Sequence, residues 1–181
     1  LSANSYDGNT QVQQGTVVLA NSNSAGSGLG TILAASGATL NLSGTGLNVI
    51  NAVQVAGSIS NTGGTNTLSG PVTLTANVAV LAGSTTTLNF GGIITDGLGK
   101  FSINANGLGT IGLNKGNSFD GGVNVNAGAV VLRKPETGRA DQQAWAFQLG
   151  QQGVNIAHVI VPLASSESDR ITTYAGVAHF N

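Results

Sequence analysis

The sequence predicts an all-β chain wound as a right-handed parallel β-helix, a form of β-solenoid. Three observations predict it: the composition, short alternating segments at close intervals, and a long internal repeat. Of 181 residues, 40% are hydrophobic, 7% are charged and 28 are glycine. Because β-branched residues favour strands and glycine favours turns, this composition indicates a β-rich chain with many turns.

Charge and cysteine content exclude several classes of protein. The net charge of −1 offers no basic surface for nucleic acid. The chain lacks cysteine, which excludes disulfides and thiolate metal sites. It also lacks an apolar run of about 18 residues, so we expect no membrane-spanning helix in this segment. His158 and His179 have no ligand-type residues at metal-binding spacing, and we predict neither metal nor cofactor.

Short segments of alternating apolar and polar residues recur at intervals of about 8–12 residues. Within 38–44, Ala38, Leu40 and Leu42 fall on one face of a strand because side chains alternate across it. A β-sandwich would explain these strands but not a long-period repeat. At about 20 residues per coil, a solenoid of this length would have about 8–9 coils.

The long repeat joins residues 4–19, NSYDGNTQVQQGTVVL, to residues 117–132, NSFDGGVNVNAGAVVL. Nine of the sixteen positions are identical, and Tyr6 meets Phe119. We therefore interpret residues 1–181 as a single solenoid array, with repeat copies at 1–20 and 113–132. The chain also lacks methionine and an N-terminal signal segment, so we expect it to be a piece of something longer.

The segment LNKGNSFDGGVNVNAGAVVL (113–132) resembles the autotransporter-associated β-strand repeat, also called the passenger-associated transport repeat. Asn117, Phe119, the Gly121–Gly122 pair and Gly128 match that family's pattern, whereas Lys115 replaces its early glycine. The resemblance implies a secreted protein of the bacterial cell surface with a right-handed β-helical passenger. It also implies that the repeat serves folding and export of a scaffold and carries no catalytic residues.

We predict structural roles for the repeated residues. Gly121 and Gly122 permit positive φ at a tight coil corner, and Asn117 and Asp120 bond nearby backbone to close turns. Phe119 is expected to cap a corner or plug the interior. The complete set of predicted motif residues is Asn4, Tyr6, Asp7, Gly8, Gly15, Asn117, Phe119, Asp120, Gly121, Gly122 and Gly128.

Charged residues are too sparse to favour an enzyme. Between residues 20 and 132 there are four: Asp96, Lys100, Lys115 and Asp120. Catalysis needs convergent titratable groups, and Asp7 and Asp120, at equivalent repeat positions, should be several coils apart. We predict no catalytic residues. A polysaccharide-processing β-helix enzyme is kept as a third alternative.

Charge is concentrated after residue 132, where 133–143 is expected to leave the coil as a solvated loop or a contact surface for a partner. The residues that we predict for this interaction surface are Arg133, Lys134, Arg139, Trp145 and Phe147. Thr- and Asn-rich strands such as 84–90 suit the binding of ice or carbohydrate on a flat face. The spacing in the sequence, however, shows no regular threonine rows.

These observations favour a structural or adhesive extracellular protein that is not catalytic. No polar cap is visible at either end of the chain, and repeat arrays normally need caps. Two arrangements would cover the ends. Further repeats continue the chain in a long passenger, or subunits associate end to end into a fibre. The expected ligands of such a surface are a glycan or a host or cell-surface molecule.

Overall fold

The computed structural model describes residues 3–133 and the backbone of two further strands, Phe147–Leu149 and His158–Ile160. The described chain is all-β and contains no helix, and its parallel sheets stack as a β-solenoid of about 6 turns. The predicted solenoid is therefore confirmed. Within the described residues, no helix has the length and apolarity needed to cross a membrane.

Three parallel sheets, which we name A, B and C in the order the chain visits them, form the walls of the solenoid. Sheet A contains β1 (Thr10–Val12), β3 (Ile32–Ala34), β6 (Val53–Val55), β9 (Val72–Leu74) and β12 (Ile94–Thr95). Sheet B contains β2 (Gly15–Leu19), β4 (Ala38–Leu42), β7 (Ser58–Asn61), β10 (Val78–Ala82), β13 (Ile103–Ala105), β15 (Val123–Val125) and β17 (Phe147–Leu149). Sheet C contains β5 (Asn48–Val49), β8 (Thr65–Leu68), β11 (Thr87–Phe90), β14 (Thr110–Leu113), β16 (Ala129–Leu132) and β18 (His158–Ile160).

Alternation along each strand separates the interior from the surface. In β4, Ala38, Leu40 and Leu42 are buried, whereas Thr39 and Asn41 are half-buried on the outer side. This is the division that period-two alternation predicts.

Coil length varies along the solenoid. Thr39 pairs with Ser58, 19 residues on, whereas Val78 pairs with Ile103, 25 residues on. The strands stay in register because the corners between sheets absorb the extra residues.

Like residues stack into ladders in the interior. In sheet C, Leu68, Phe90 and Leu113 occupy matching positions on three successive coils, and all three are buried. Burying one such side chain contributes about 1.5–3 kcal/mol relative to leaving it exposed. Because every coil adds a rung to each ladder, the core extends along the solenoid.

Buried asparagines close the corner between sheets B and C. Asn66 Nδ2 donates to Asn61 Oδ1 at 2.7 Å and lies 2.7 Å from Gly44 O, while its Oδ1 accepts from Leu47 N at 2.8 Å. Asn61 Nδ2 donates to Thr87 O at 3.0 Å on the next coil. These amides satisfy backbone groups that a corner would otherwise leave unpaired, so burying them costs little.

Candidate functional site

The corner that leads from sheet C to sheet B in the second repeat copy contains most of the predicted motif residues. Asn117 is buried, and its Oδ1 accepts from Ile94 N at 2.8 Å. Ser118 N donates to Ile94 O at 2.9 Å. These two bonds pair with β12 where the described residues form no further strand of sheet A. Asn117 thus bonds across coils instead of closing its own turn.

The two aromatic residues of the repeat lie in different surroundings. Phe119 is 5% exposed and belongs to the hydrophobic core, so its ring fills the interior at the corner. Tyr6 is 43% exposed, and its hydroxyl forms a 2.6 Å hydrogen bond with Thr10 Oγ1. Equivalent positions in the repeat therefore do not have equivalent structural roles.

The glycines of the corner have two distinct functions. Gly122 has φ of 76°, a conformation that side chains rarely adopt. Gly121 lies so close to the previous coil that a Cβ would overlap the backbone of Phe101. Gly15 and Gly128, equivalent in the two copies, have φ of 76° and 70°. Gly8, equivalent to Gly121, has open space where a Cβ would stand.

Asp96 lies at the same corner, and the repeat comparison did not identify it as a motif residue. It is 5% exposed, and its Oδ2 accepts from Phe101 N and from Asp120 N, each at 3.0 Å. Its Oδ1 is buried without a hydrogen-bond partner. The carboxylate therefore joins two successive coils through their backbone amides. The sequence signal for this role is a lone Asp–Gly pair, which is typical of a turn.

The remaining charged motif residues are at the surface. Asp120 contributes its backbone amide to Asp96, while its side chain is exposed. Asp7 Oδ1 accepts from Ser27 Oγ, and Asn4 Nδ2 donates to Ser24 O at 2.7 Å, both in the first turn. Among residues 3–133, no group of three or more His, Asp or Glu residues could hold a metal ion.

The predicted interaction surface is described only in part. Arg133 is exposed at the end of β16. Phe147 begins β17, whose backbone pairs with Val123 in sheet B. Lys134, Arg139 and Trp145 lie outside the described residues, as does most of the expected loop at 133–143.

The outer faces of sheets B and C carry polar side chains in two different arrangements. On sheet B they bond to each other across coils, as in the 2.8 Å pair of Thr39 and Ser58 and the 2.7 Å bond from Asn124 Nδ2 to Asn104 Oδ1. On sheet C, Thr65, Thr87 and Thr110 pair in register on three successive coils. The expectation that regular threonine rows are absent is therefore wrong. Coils of 22 and 23 residues hid this row from inspection of the sequence.

The fold and these corners define a parallel β-solenoid built from stacked apolar ladders and polar corner bonds. Searches against protein-family models, curated proteins and solved structures give no match for this chain. The resemblance to the autotransporter repeat accordingly stays a prediction that rests on the motif residues alone.

Proposed function

We propose that the chain is a structural or adhesive segment of an extracellular bacterial surface protein and does not catalyse a reaction. The observation that carries the proposal is the stack of three parallel sheets around continuous interior ladders. Such a stack lengthens by adding coils and needs no other element to bury its core. A rod of this kind suits a scaffold that holds an adhesive surface away from the cell.

The positions of the described carboxylates support a non-catalytic role. Asp96 is 95% buried by its 5% exposure, and its Oδ2 is engaged by two backbone amides, as expected of a structural group. Asp7 lies in the first turn, on a different part of the rod from Asp120. Hydrolysis of a glycosidic bond needs two carboxyl groups about 5–9.5 Å apart on either side of the same bond. Within residues 3–133, Asp96 and Asp120 are the pair on adjacent coils, and Asp96 is too buried to reach a sugar.

The repeat motif supports the extracellular location. Asn117, Phe119 and the Gly121–Gly122 pair match the autotransporter-associated repeat at one corner of the solenoid. Each of them makes a contact that this fold needs: a bond across coils, a filled interior, or a close approach of backbones. We infer that the segment belongs to a secreted passenger and that its partners are further repeats, with a surface glycan or host molecule as ligand.

The alternative is a subunit that assembles end to end into an extracellular fibre. Parallel strands at a sheet edge readily pair with strands of another chain. Within the described residues, β1 pairs only with β3 and β2 only with β4, so each has one open edge. This arrangement favours self-association whenever no further coil covers those edges.

Negative-stain electron microscopy of the purified full chain over a concentration series tests the proposal. Short rods of constant length support a scaffold segment. Filaments that lengthen with concentration support the fibre alternative, and compact globules contradict both.

A glycan-cleavage assay tests the non-catalytic part of the proposal separately. We expect no cleavage of soluble polysaccharides by the full chain. If the chain does cleave one, and the triple variant Asp7→Asn, Asp96→Asn, Asp120→Asn loses that activity while remaining folded, the protein is an enzyme.

A further inference from the structure

The outer face of sheet C presents threonine hydroxyls in a regular array. Thr65, Thr87 and Thr110 pair in register across β8, β11 and β14. Two residues further along β8 and β11, Thr67 pairs with Asn89. Successive coils thus repeat one hydrogen-bonding group at the same place along three strands, with a second, shorter row beside it.

The hydroxyls of this array have no partner in the part of the chain that the structure describes. Thr65, Thr67, Thr87 and Thr110 make no side-chain hydrogen bond there, although their backbones pair normally. On sheet B the equivalent outward groups bond to each other, for example Thr39 to Ser58. Exposed polar groups bond to whatever lies outside, so the face of sheet C has its hydrogen-bonding capacity available for an external ligand.

The array is also stiff and closely spaced. Neighbouring strands lie about 4.8 Å apart, and alternate residues along a strand about 6.6 Å apart. Threonine is branched at Cβ and has few rotamers. The strands beneath are anchored by fully buried Leu88 and Ile111. The outward residues of β8, β11 and β14 include no charged and no aromatic side chain.

We propose that this face of sheet C binds ice. The oxygen atoms of hexagonal ice repeat at distances close to the two spacings of the threonine array, so its hydroxyls occupy lattice positions while their methyl groups exclude disordered water. A flat uncharged lattice suits an uncharged face. A sugar ring is a poorer occupant because sugar-binding sites are lined by aromatic side chains, which these three strands do not present outward.

Ice recrystallisation inhibition by the purified full chain tests the proposal, with Thr87→Lys in the centre of the array. Thr39→Lys is the matched control, because it places the same charge on the outer face of sheet B. We expect the unaltered protein and Thr39→Lys to keep ice crystals small during annealing, and Thr87→Lys to lose this effect. Thr87→Val, which removes the hydroxyl and keeps the shape, should weaken the effect, and circular dichroism checks that each variant is folded.

Three results would overturn the proposal. The first is an unaltered protein that inhibits no better than albumin at equal concentration. The second is equal loss in the folded variants Thr87→Lys and Thr39→Lys. The third is retention on crystalline cellulose or chitin, or a dimer in sedimentation, that Thr87→Lys abolishes without any effect on ice. The rods seen by electron microscopy do not depend on Thr87, so failure here leaves the proposed scaffold role standing.

Discussion

The carboxylate of Asp96 accepts a hydrogen bond from the backbone amide of Asp120 at 3.0 Å, across the boundary between two coils. The same oxygen, Oδ2, accepts from Phe101 N within its own corner. One buried side chain therefore orders its own turn and attaches the next coil to it. Asp120 contributes only its backbone to this link, since its side chain is exposed.

Replacing Asp96 with Ala should destabilise the solenoid. Two backbone amides would lose their acceptor in a buried corner, which we expect to lower the free energy of unfolding by about 2–4 kcal/mol. Urea denaturation followed by circular dichroism measures this. Asp120→Ala is the control, and its effect should stay within about 0.5 kcal/mol because the bond uses the backbone. Equal losses in the two variants would show that the Asp96 bond does not stabilise the corner.

The two repeat aromatics should respond differently to truncation. Phe119→Ala leaves a cavity in the core and should cost about 3–5 kcal/mol. Tyr6→Ala removes a half-exposed ring and should cost less than about 1 kcal/mol. Comparing the two unfolding curves under one set of conditions checks the difference, and Phe119→Leu should recover much of the loss. A larger effect at Tyr6 than at Phe119 would contradict the burial described here.

The sequence was sufficient to predict the class of fold and the direction of the strands' side chains. Alternation at Ala38, Leu40 and Leu42 identifies the inner face of β4 without any knowledge of its neighbours. The repeat also points to the corner at Asn117, because the same polar and glycine residues recur 113 positions apart. These features are local, and local patterns are visible in one sequence.

Relationships between coils were not predictable in the same way. The amide that Asp96 binds is 24 residues away, and coil length ranges from 19 to 25 residues, so no fixed period reveals the pair. The threonine row of sheet C was missed for the same reason. Tyr6 and Phe119 match in sequence and differ in burial because packing against adjacent coils decides burial.

Adding one methyl group should separate Gly121 from Gly8. The Cβ of Gly121→Ala would overlap the backbone of Phe101, so a coil must shift, at a cost of about 1–3 kcal/mol. No heavy atom lies within 4 Å of the corresponding position at Gly8, so Gly8→Ala should change stability by no more than about 0.5 kcal/mol. Thermal unfolding of both variants is the measurement. A Gly121→Ala protein as stable as its Gly8→Ala counterpart would show that the coils are not in close contact at this corner.

Asn66→Asp should be among the most damaging single substitutions in the described chain. The amide nitrogen of Asn66 faces Gly44 O and Asn61 Oδ1 at 2.7 Å and Gly63 O at 2.6 Å, so all its neighbours are acceptors. An aspartate would place a second oxygen against these three and bury a charge without a partner, which we expect to cost about 3–5 kcal/mol.

The control for this isosteric change is Asn106→Asp. Asn106 is exposed, and its Oδ1 accepts from Asn126 Nδ2 at 2.7 Å, a bond that an aspartate oxygen preserves. Urea denaturation should therefore show a large loss of stability at position 66 and a change within about 0.5 kcal/mol at position 106. Small effects at both positions would mean that water reaches the B–C corner. The asparagines there would then be solvated instead of holding successive coils together.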